Sequence, residues 1–426
     1  MVIWVLIAIL IAVNILLLVQ KVSNAIVGLI GAASVIAVGY FSGLFDFAEA
    51  LGFIDFNAIF LLVGLFIIIQ VTKESGLFQF ITLKIVSKTG GRAYLLYISF
   101  MALTFFLAGL IGSITAILII GSMTAITSDV CDYDPVPFLI VESFIADMGG
   151  TTLISGSVSV IVASNLLQIS YLQWAAIAYP LGLVFLGLSI LIAPKLQRRR
   201  ISAQKMSSEV SYELELLDPW SVVPSKRMFY TSAIVLVFTF IMFFLSSLIG
   251  VGLGYIAILS ATIMLLASKT DPQGILQKTD WETIFYIIGL SITIGGVTAG
   301  GVLTTLGDML SIFIAGNILL ALLLILWVTS FLTGALDNLA VTLTFIPIIR
   351  ILSTTIPLLP MAYALIIGAD IGITFLPWAT TNGLIAMSIA KGSGLKIKVR
   401  EYAKVGLLNI CYLSVSSIFF AILSIL

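Results

Sequence analysis

The sequence predicts an all-α membrane protein built of two inverted repeats of five transmembrane spans, each repeat carrying a re-entrant hairpin and a broken helix. Three observations lead there. Of the 426 residues, 61% are hydrophobic and 9% charged, and the apolar residues fall in blocks of about 17 to 25, the length that crosses a hydrocarbon core. The second half of the chain matches the first at a near-constant offset. Two of the apolar blocks are interrupted, in corresponding places, by aspartate, glycine and hydroxyl residues.

Only helices and closed barrels satisfy every backbone polar group in lipid, and these blocks lack the alternation of a barrel strand, so helices are the fit. Spans are expected near Val2 to Val19, Ala25 to Phe41, Asn57 to Val71, Pro137 to Leu166 (interrupted) and Leu172 to Ala193. The second set runs near Phe229 to Leu248, Val251 to Ala267, Trp281 to Val297, Pro360 to Ala390 (interrupted) and Tyr402 to Leu426. Between the third and fourth members of each set lies a longer apolar stretch with small or polar residues at its centre, 93–126 and 312–351, which reads as a hairpin that enters and returns on one side. The N-terminal block MVIWVLIAILIAVNILLLV has no basic n-region and no A-x-A site, which favours a retained first span over a removed signal peptide.

Charge orients the chain in a cell membrane, plasma or inner. With both termini outside, every Lys and Arg of the 20 except Arg350 falls on the cytoplasmic side. The polar segment 195–227 divides the chain into a first repeat, 1–194, and a second, 228–426, and reads as a cytoplasmic tether without a fold of its own.

Laid over the first half at a shift of 225 residues, DWETIFYIIGL from Asp280 matches DFNAIFLLVGL from Asp55, Gly301 meets Gly76, and FLTGALDNLAVTL from Phe331 meets FLAGLIGSITAIL from Phe106. After a slip of two residues, PMAYALIIGADIGITFL from Pro360 meets PFLIVESFIADMGGTTL from Pro137. Five crossings per half is an odd number, so the second copy must be inserted upside down. Inverted repeats with helix breaks at the midplane mark alternating-access transporters. Shared ancestry alone, with Gly149 and Gly150 serving only close helix packing, is the plainer alternative.

Against it stands the content of the interruptions. Glu142, Asp147, Asp337 and Asp370 all fall in apolar segments. Each ionised carboxylate near a bilayer centre costs roughly 2.5 to 3.5 kcal/mol, on the order of 10 kcal/mol for the four, so they need partners, water or ions. The candidate solute and ion site is drawn from the hairpin tips and the breaks. Asp337, Asn338, Thr333 and Thr342 come from the second tip, where Asp337 and Asn338 offer hard oxygens to Na+ or, at the carboxylate, a place for a proton. Gly112 and Ser113 take the matching places in the first tip. Asp147, Gly149, Gly150 and Thr151 come from the first break, and Asp370, Gly372, Thr374, Thr380, Thr381 and Asn382 from the second. Structural alternatives stay open: Asp337 as N-cap of a helix beginning at Asn338, Asp147 and Asp370 as caps of the broken helices, Glu142 as a hydrogen-bond partner of a hairpin, and Asp55 and Asp280 as interfacial N-caps.

No cofactor is expected beyond a coupling ion, H+ or Na+. Zero net charge without a basic, aromatic-interleaved block excludes nucleic acid. Two distant cysteines, Cys131 and Cys411, and the absence of histidine argue against a disulfide framework, a zinc or redox site, HExxH chemistry or a Ser/His pair. The contexts Ala146-Asp147 and Ala369-Asp370 also lack the Tyr-Asp and Gly-x-Gly-Asp settings of an intramembrane aspartyl protease, so no enzyme is expected.

These residues resemble the ion transporter superfamily that contains arsenite permeases, sodium/proton antiporters, and citrate and divalent-anion/sodium symporters. The likeness is carried by DWETIFYIIGL, LDNLAVTLTFIP, DPVPFLI and GADIG, and covers nearly the whole chain. FIAD around Asp147 and the aspartate of GADIG look most like arsenite permeases. The first hairpin departs from many relatives in lacking an Asn-Asp pair, the first break reads GSVSV where antiporter-like members carry G-D-P-P-N, and neither tip has the Ser-Asn-Thr motif of dicarboxylate symporters. The resemblance implies an elevator motion of hairpins and broken helices against an outer scaffold, a homodimer, and, for an arsenite type, a cytoplasmic ATPase subunit. An arsenite or antimonite exporter is the first expectation, with a sodium/proton antiporter or a sodium-coupled citrate, dicarboxylate or sulfate symporter as alternatives.

Overall fold

The computed structural model describes residues 2–424 apart from 20, 202–217, 315, 335, 373 and 379. Among the described residues the first half folds into α1 (Val2–Val19), α2 (Asn24–Ser42), α3 (Phe47–Leu51), α4 (Phe56–Glu74), α5 (Leu77–Thr89), α6 (Ala93–Ile111), α7 (Ser113–Cys131), α8 (Val136–Gly150), α9 (Val158–Leu166), α10 (Tyr171–Leu196) and α11 (Arg198–Ile201). The second half folds into α12 (Lys226–Ile249), α13 (Leu253–Ser268), α14 (Pro272–Gln277), α15 (Trp281–Ala299), α16 (Val302–Ile314), α17 (Ile318–Thr333), α18 (Asn338–Leu352), α19 (Leu358–Ile371), α20 (Thr381–Gly392) and α21 (Val399–Leu423). No strand occurs among them, so the chain is an all-α membrane protein.

The element boundaries recur with the sequence match. Phe56 and Trp281, Leu77 and Val302, and Ser113 and Asn338 each open equivalent helices 225 residues apart. Each start has a local cause: Asp55 caps α4 by accepting from Asn57 and Ala58 N–H, and Asp280 caps α15 by accepting from Thr283 N–H. Both aspartates therefore act as the interfacial caps expected of them.

Two features differ from the sequence reading. Short helices α5 and α16 occupy what it leaves as connections, and Ile312 to Ile314 belong to α16, so the second hairpin comprises α17 and α18 alone. The first hairpin, α6 and α7, extends to Cys131, beyond 126. Mixed polar and apolar residues over about three turns give no span signal, which is why α5 went unseen. The segment 195–227 contains the end of α10, α11, a 3-10 turn at Pro219–Val222 and the start of α12; residues 202–217 of that expected tether lie outside the described residues.

Nine of the described helices are long and apolar enough to cross a membrane: α1, α2, α4, α6, α7, α10, α12, α15 and α21. Both arms of the first hairpin are among them, at 19 residues each, whereas α17 and α18 have 16 and 15. The two hairpins are thus unequal.

Packing between the halves is exchanged. Helix α2 of the first half lies along α15 of the second, and α13 of the second lies along α4 of the first. Small residues allow the approach: a Cβ on Gly289 would stand 2.3 Å from the Gly28 carbonyl carbon, and one on Gly64 2.5 Å from that of Ala257. The breaks are exchanged likewise, with α20 packed on α7 and α8, and α9 packed on α18 and α19.

Candidate functional site

Each hairpin tip rests on the break of its own half. At the first, Gly112 takes φ +92°, which ends α6 and lets α7 begin at the next residue, a conformation that only glycine adopts without strain. Ser155 Oγ donates to Gly109 O at 3.0 Å, tying this tip to the first break, residues 151–157. At the second, Asn338 Nδ2 donates to Asp370 Oδ1 at 3.0 Å. Gly372, φ +53°, ends α19 where the second break, 372–380, begins.

The tips and breaks enclose one cavity of about 730 Å³. Four carboxylates line it: Asp280, the N-cap of α15, and three at the tips and breaks, whose positions within helices differ. Asp337 is the N-cap of α18: its Oδ1 accepts from Leu339 N–H, Ala340 N–H and Tyr286 O–H, the last at 2.7 Å, and these bonds leave Oδ2 for another partner. The positive end of the helix dipole favours its charge. Asp147 and Asp370 sit instead in the last turns of α8 and α19, where the dipole is negative and a carboxylate is disfavoured. Neither is a cap, contrary to that sequence-level alternative, because both lie at the C-terminal ends of their half-helices.

Their partners come partly from the opposite half. Asn382 Nδ2, at the start of α20, donates to Asp147 Oδ1 at 2.6 Å. Ser157 and Ser159, the latter at the matching place in α9, both face Asp370, but Ser159 Oγ and Asp370 Oδ2 are buried and make no hydrogen bond of good geometry. A buried carboxylate oxygen facing a cavity at a helix C-terminus is the arrangement that a cation or proton would complete.

Of the residues expected in the site, Gly112, Ser113, Asp147, Thr333, Asp337, Asn338, Asp370, Gly372, Thr374, Thr380, Thr381 and Asn382 line the cavity. Gly149, Gly150 and Thr151 do not. A Cβ on Gly149 would meet Phe105 O at 2.4 Å and one on Gly150 Gly156 O at 2.9 Å, so these glycines serve close packing behind the site. Thr151 Oγ1 bonds Met148 O within its own turn. Thr342 is buried in α18 away from the cavity. Glu142 also lies outside it and accepts from Thr124 Oγ1 of the first hairpin at 2.6 Å.

Several lining residues escaped sequence reasoning. Tyr286 lies in the second turn of α15, and its counterpart in the first half is Leu61; that mismatch within an otherwise apolar alignment was the available signal. Ser157 and Ser159 had one too, since Ser159 aligns with Asn382. Lys278, read from sequence as a loop charge, stands on the cavity wall, where Glu74 Oε1 lies 2.7 Å from its Nζ. It is the one basic residue among the described residues of the lining.

Surrounding groups hold the breaks open. Asn409 of α21, buried, donates its side-chain amide to Ile371 O at 2.8 Å and to Gly372 O and Thr374 Oγ1 at 3.1 Å. Trp174 Nε1 donates to Thr151 O at 3.0 Å and its ring stacks on Tyr363. Arg350, the one cation misplaced by the charge rule, donates to Leu166 O at the C-terminus of α9, where the helix dipole favours it.

Comparison with known proteins points to membrane transporters. Residues 14–368 match the family profile CitMHS, described as citrate transporter. An uncharacterized transporter of Mycobacterium tuberculosis is 23% identical over 404 residues, covering 94% of this chain and 93% of the relative. A 46 kDa membrane protein of Mycobacterium leprae is 24% identical, covering 91% of each. The P protein of Mus musculus is 23% identical over 97% of this chain and 60% of its own length. With the profile spanning most of the chain, tips and first break included, this protein belongs to the CitMHS family of membrane transporters.

Proposed function

We propose that the chain is a secondary active carrier in which Asp147, Asp337 and Asp370 hold a coupling cation, H+ or Na+, beside a small solute in the central cavity. The observation that carries this reading is the pair of carboxylates at the C-terminal ends of half-helices, one of them with a buried, unpartnered oxygen. Charge there is costly for stability and suited to a cation. No group of three or more His, Cys, Asp or Glu residues able to hold a metal occurs among the described residues. Na+ would therefore be shared among carboxylate, amide and backbone oxygens, with Asp337 and Asn338 as first ligands. The Asn338 amide is turned to Asp370, which leaves its carbonyl oxygen for that role.

The solute is read from charge. Four carboxylates, Asp280 included, against one lysine, itself paired with Glu74, disfavour a bare polyanion. An uncharged inorganic acid such as arsenous acid fits this cavity, and its export coupled to H+ or Na+ is the first reading. A second is favoured by the family description: citrate symport, which in this cavity requires cations bound with the anion. A sodium/proton antiporter using the same acids is the remaining form. Exchanged packing of equivalent helices supports inverted repeats, and the hairpins resting on breaks support an elevator-type moving unit; the placement of both termini outside rests on the charge distribution along the sequence, and a homodimeric scaffold on the family resemblance.

Counterflow in proteoliposomes tests this directly. Arsenite, citrate with and without added cation, and no solute are compared under imposed Na+ and pH gradients. Saturable, gradient-dependent flux of one solute is expected. Na+-evoked proton movement with no solute dependence would turn the reading to the antiporter, and flux indifferent to every ion gradient would overturn coupled transport.

A further inference from the structure

A second cavity, of about 680 Å³, lies apart from the central one, between the C-terminus of α10, α11 and the N-terminal turns of α8 and α21. Its polar wall is Lys195, Gln197, Arg198, Arg200, Glu401 and Lys404. Among the described residues of this wall four cations face one carboxylate. Arg200 is committed in two directions, to Asp134 at 3.1 Å and to Glu401 at 3.0 Å, which fixes its guanidinium between the two halves of the chain. Gln197 accepts the Tyr97 hydroxyl on its carbonyl oxygen, which turns its amide N–H groups elsewhere as donors. Lys195 and Lys404 form no ion pair among the described residues. Apolar Pro137, Ile140 and Leu196 complete the wall.

A concave site with excess positive charge, fork and amide donors, and an apolar side suits a phosphate group attached to something greasy. Basic pockets at helix ends on one membrane face hold anionic head groups for this reason. We infer that this cavity binds a phosphate-bearing anion between α10, α11 and α21, and so clamps the last helix of each half together. The shared chemistry is the phosphate; a phospholipid head group and a free phosphate are its two sources. The inference is independent of the central site and of the solute carried there.

The test uses the full-length protein in nanodiscs of neutral phosphatidylcholine, with and without phosphatidylglycerol, read by native mass spectrometry and thermal unfolding. The double variant Lys195→Gln/Lys404→Gln is compared with Lys195→Arg/Lys404→Arg and with Lys269→Gln, which lies outside the cavity. Retained phosphatidylglycerol is expected on wild type, the arginine pair and Lys269→Gln, and reduced by about tenfold or more on the glutamine pair. In the neutral discs, inorganic phosphate that raises the unfolding temperature of wild type but not of the glutamine pair would instead assign the site to free phosphate. Equal lipid retention by wild type and glutamine pair, together with no phosphate effect on either, would overturn the inference.

Discussion

Asn382 donates its side-chain amide to Asp147 across the junction between the two halves of the chain, and the symmetry-related contact, Ser159 with Asp370, is left incomplete. Asp147 and Asp370 are equivalent in the repeat, as are Ser159 and Asn382. A single pattern, an acid at the end of one half-helix facing the first turn of the other half's second helix, thus occurs twice with different chemistry. The amide satisfies one carboxylate, and the hydroxyl leaves the other with capacity to spare.

Replacing Asn382 by alanine removes a charge-assisted bond worth about 1.5 to 3 kcal/mol. Solute flux in proteoliposomes is expected to fall by about tenfold or more with expression retained. Wild-type rates in Asn382→Ala would separate Asp147 from the mechanism.

Neutralising the other two acids should abolish coupled flux and move stability in opposite directions. Asp370→Asn removes charge from the disfavoured end of α19, so its unfolding temperature in nanodiscs should equal or exceed that of wild type. Asp337→Ala removes an N-cap and should cost about 0.5 to 2 kcal/mol. Transport by Asp337→Asn and Asp370→Asn at the wild-type rate would contradict the acidic site.

Tyr286→Phe deletes the 2.7 Å hydrogen bond to Asp337 while keeping the ring. A shift of about threefold to tenfold in the half-saturating concentration of the coupling cation is expected, by the strength of a bond to a charged group. Titrating flux against Na+ and pH measures it.

Asn409→Ala strips the donor from two buried carbonyls, Ile371 and Gly372, at about 1 to 3 kcal/mol for each group left unsatisfied. Thermal unfolding should show a clear loss of stability. Ile418→Ala, exposed on the same helix, serves as the comparison and should change little.

Much of this architecture was legible because lipid imposes a strong rule: spans must be apolar and long, and acids within them stand out. The limits of α1, α4 and α15 follow from hydropathy and from Asp55 and Asp280. Helices α5 and α16 were illegible since length and polarity place them below that rule's reach. Within the site, the acids and amides were found by their cost in oil. Tyr286 was not, as a tyrosine in a span costs little and its role depends on α18 being brought beside α15. The glycines Gly149 and Gly150 show the converse limit: next to an aspartate they read as part of a binding loop, and only the positions of Phe105 and Gly156 identify them as packing.

The exchanged pairing of α2 with α15 and of α13 with α4 predicts a specific intolerance. Gly289→Val would drive its side chain into the Gly28 backbone and should destabilise by about 1 to 3 kcal/mol, whereas Gly187→Ala, with nothing within 4 Å of the added carbon, should be neutral. Unfolding curves of the two variants check this.

The same exchange bears on how the molecule comes into being. When the ribosome has delivered α2 and α4, neither has met the helix it lies along, and both wait in the bilayer until α13 and α15 arrive. The early half is thus an unfinished surface that late synthesis completes, and a truncation after the linker should present quality control with two unfilled grooves where glycines expect a neighbour. Two separately produced halves, made in one membrane, would be able to find each other by those same grooves.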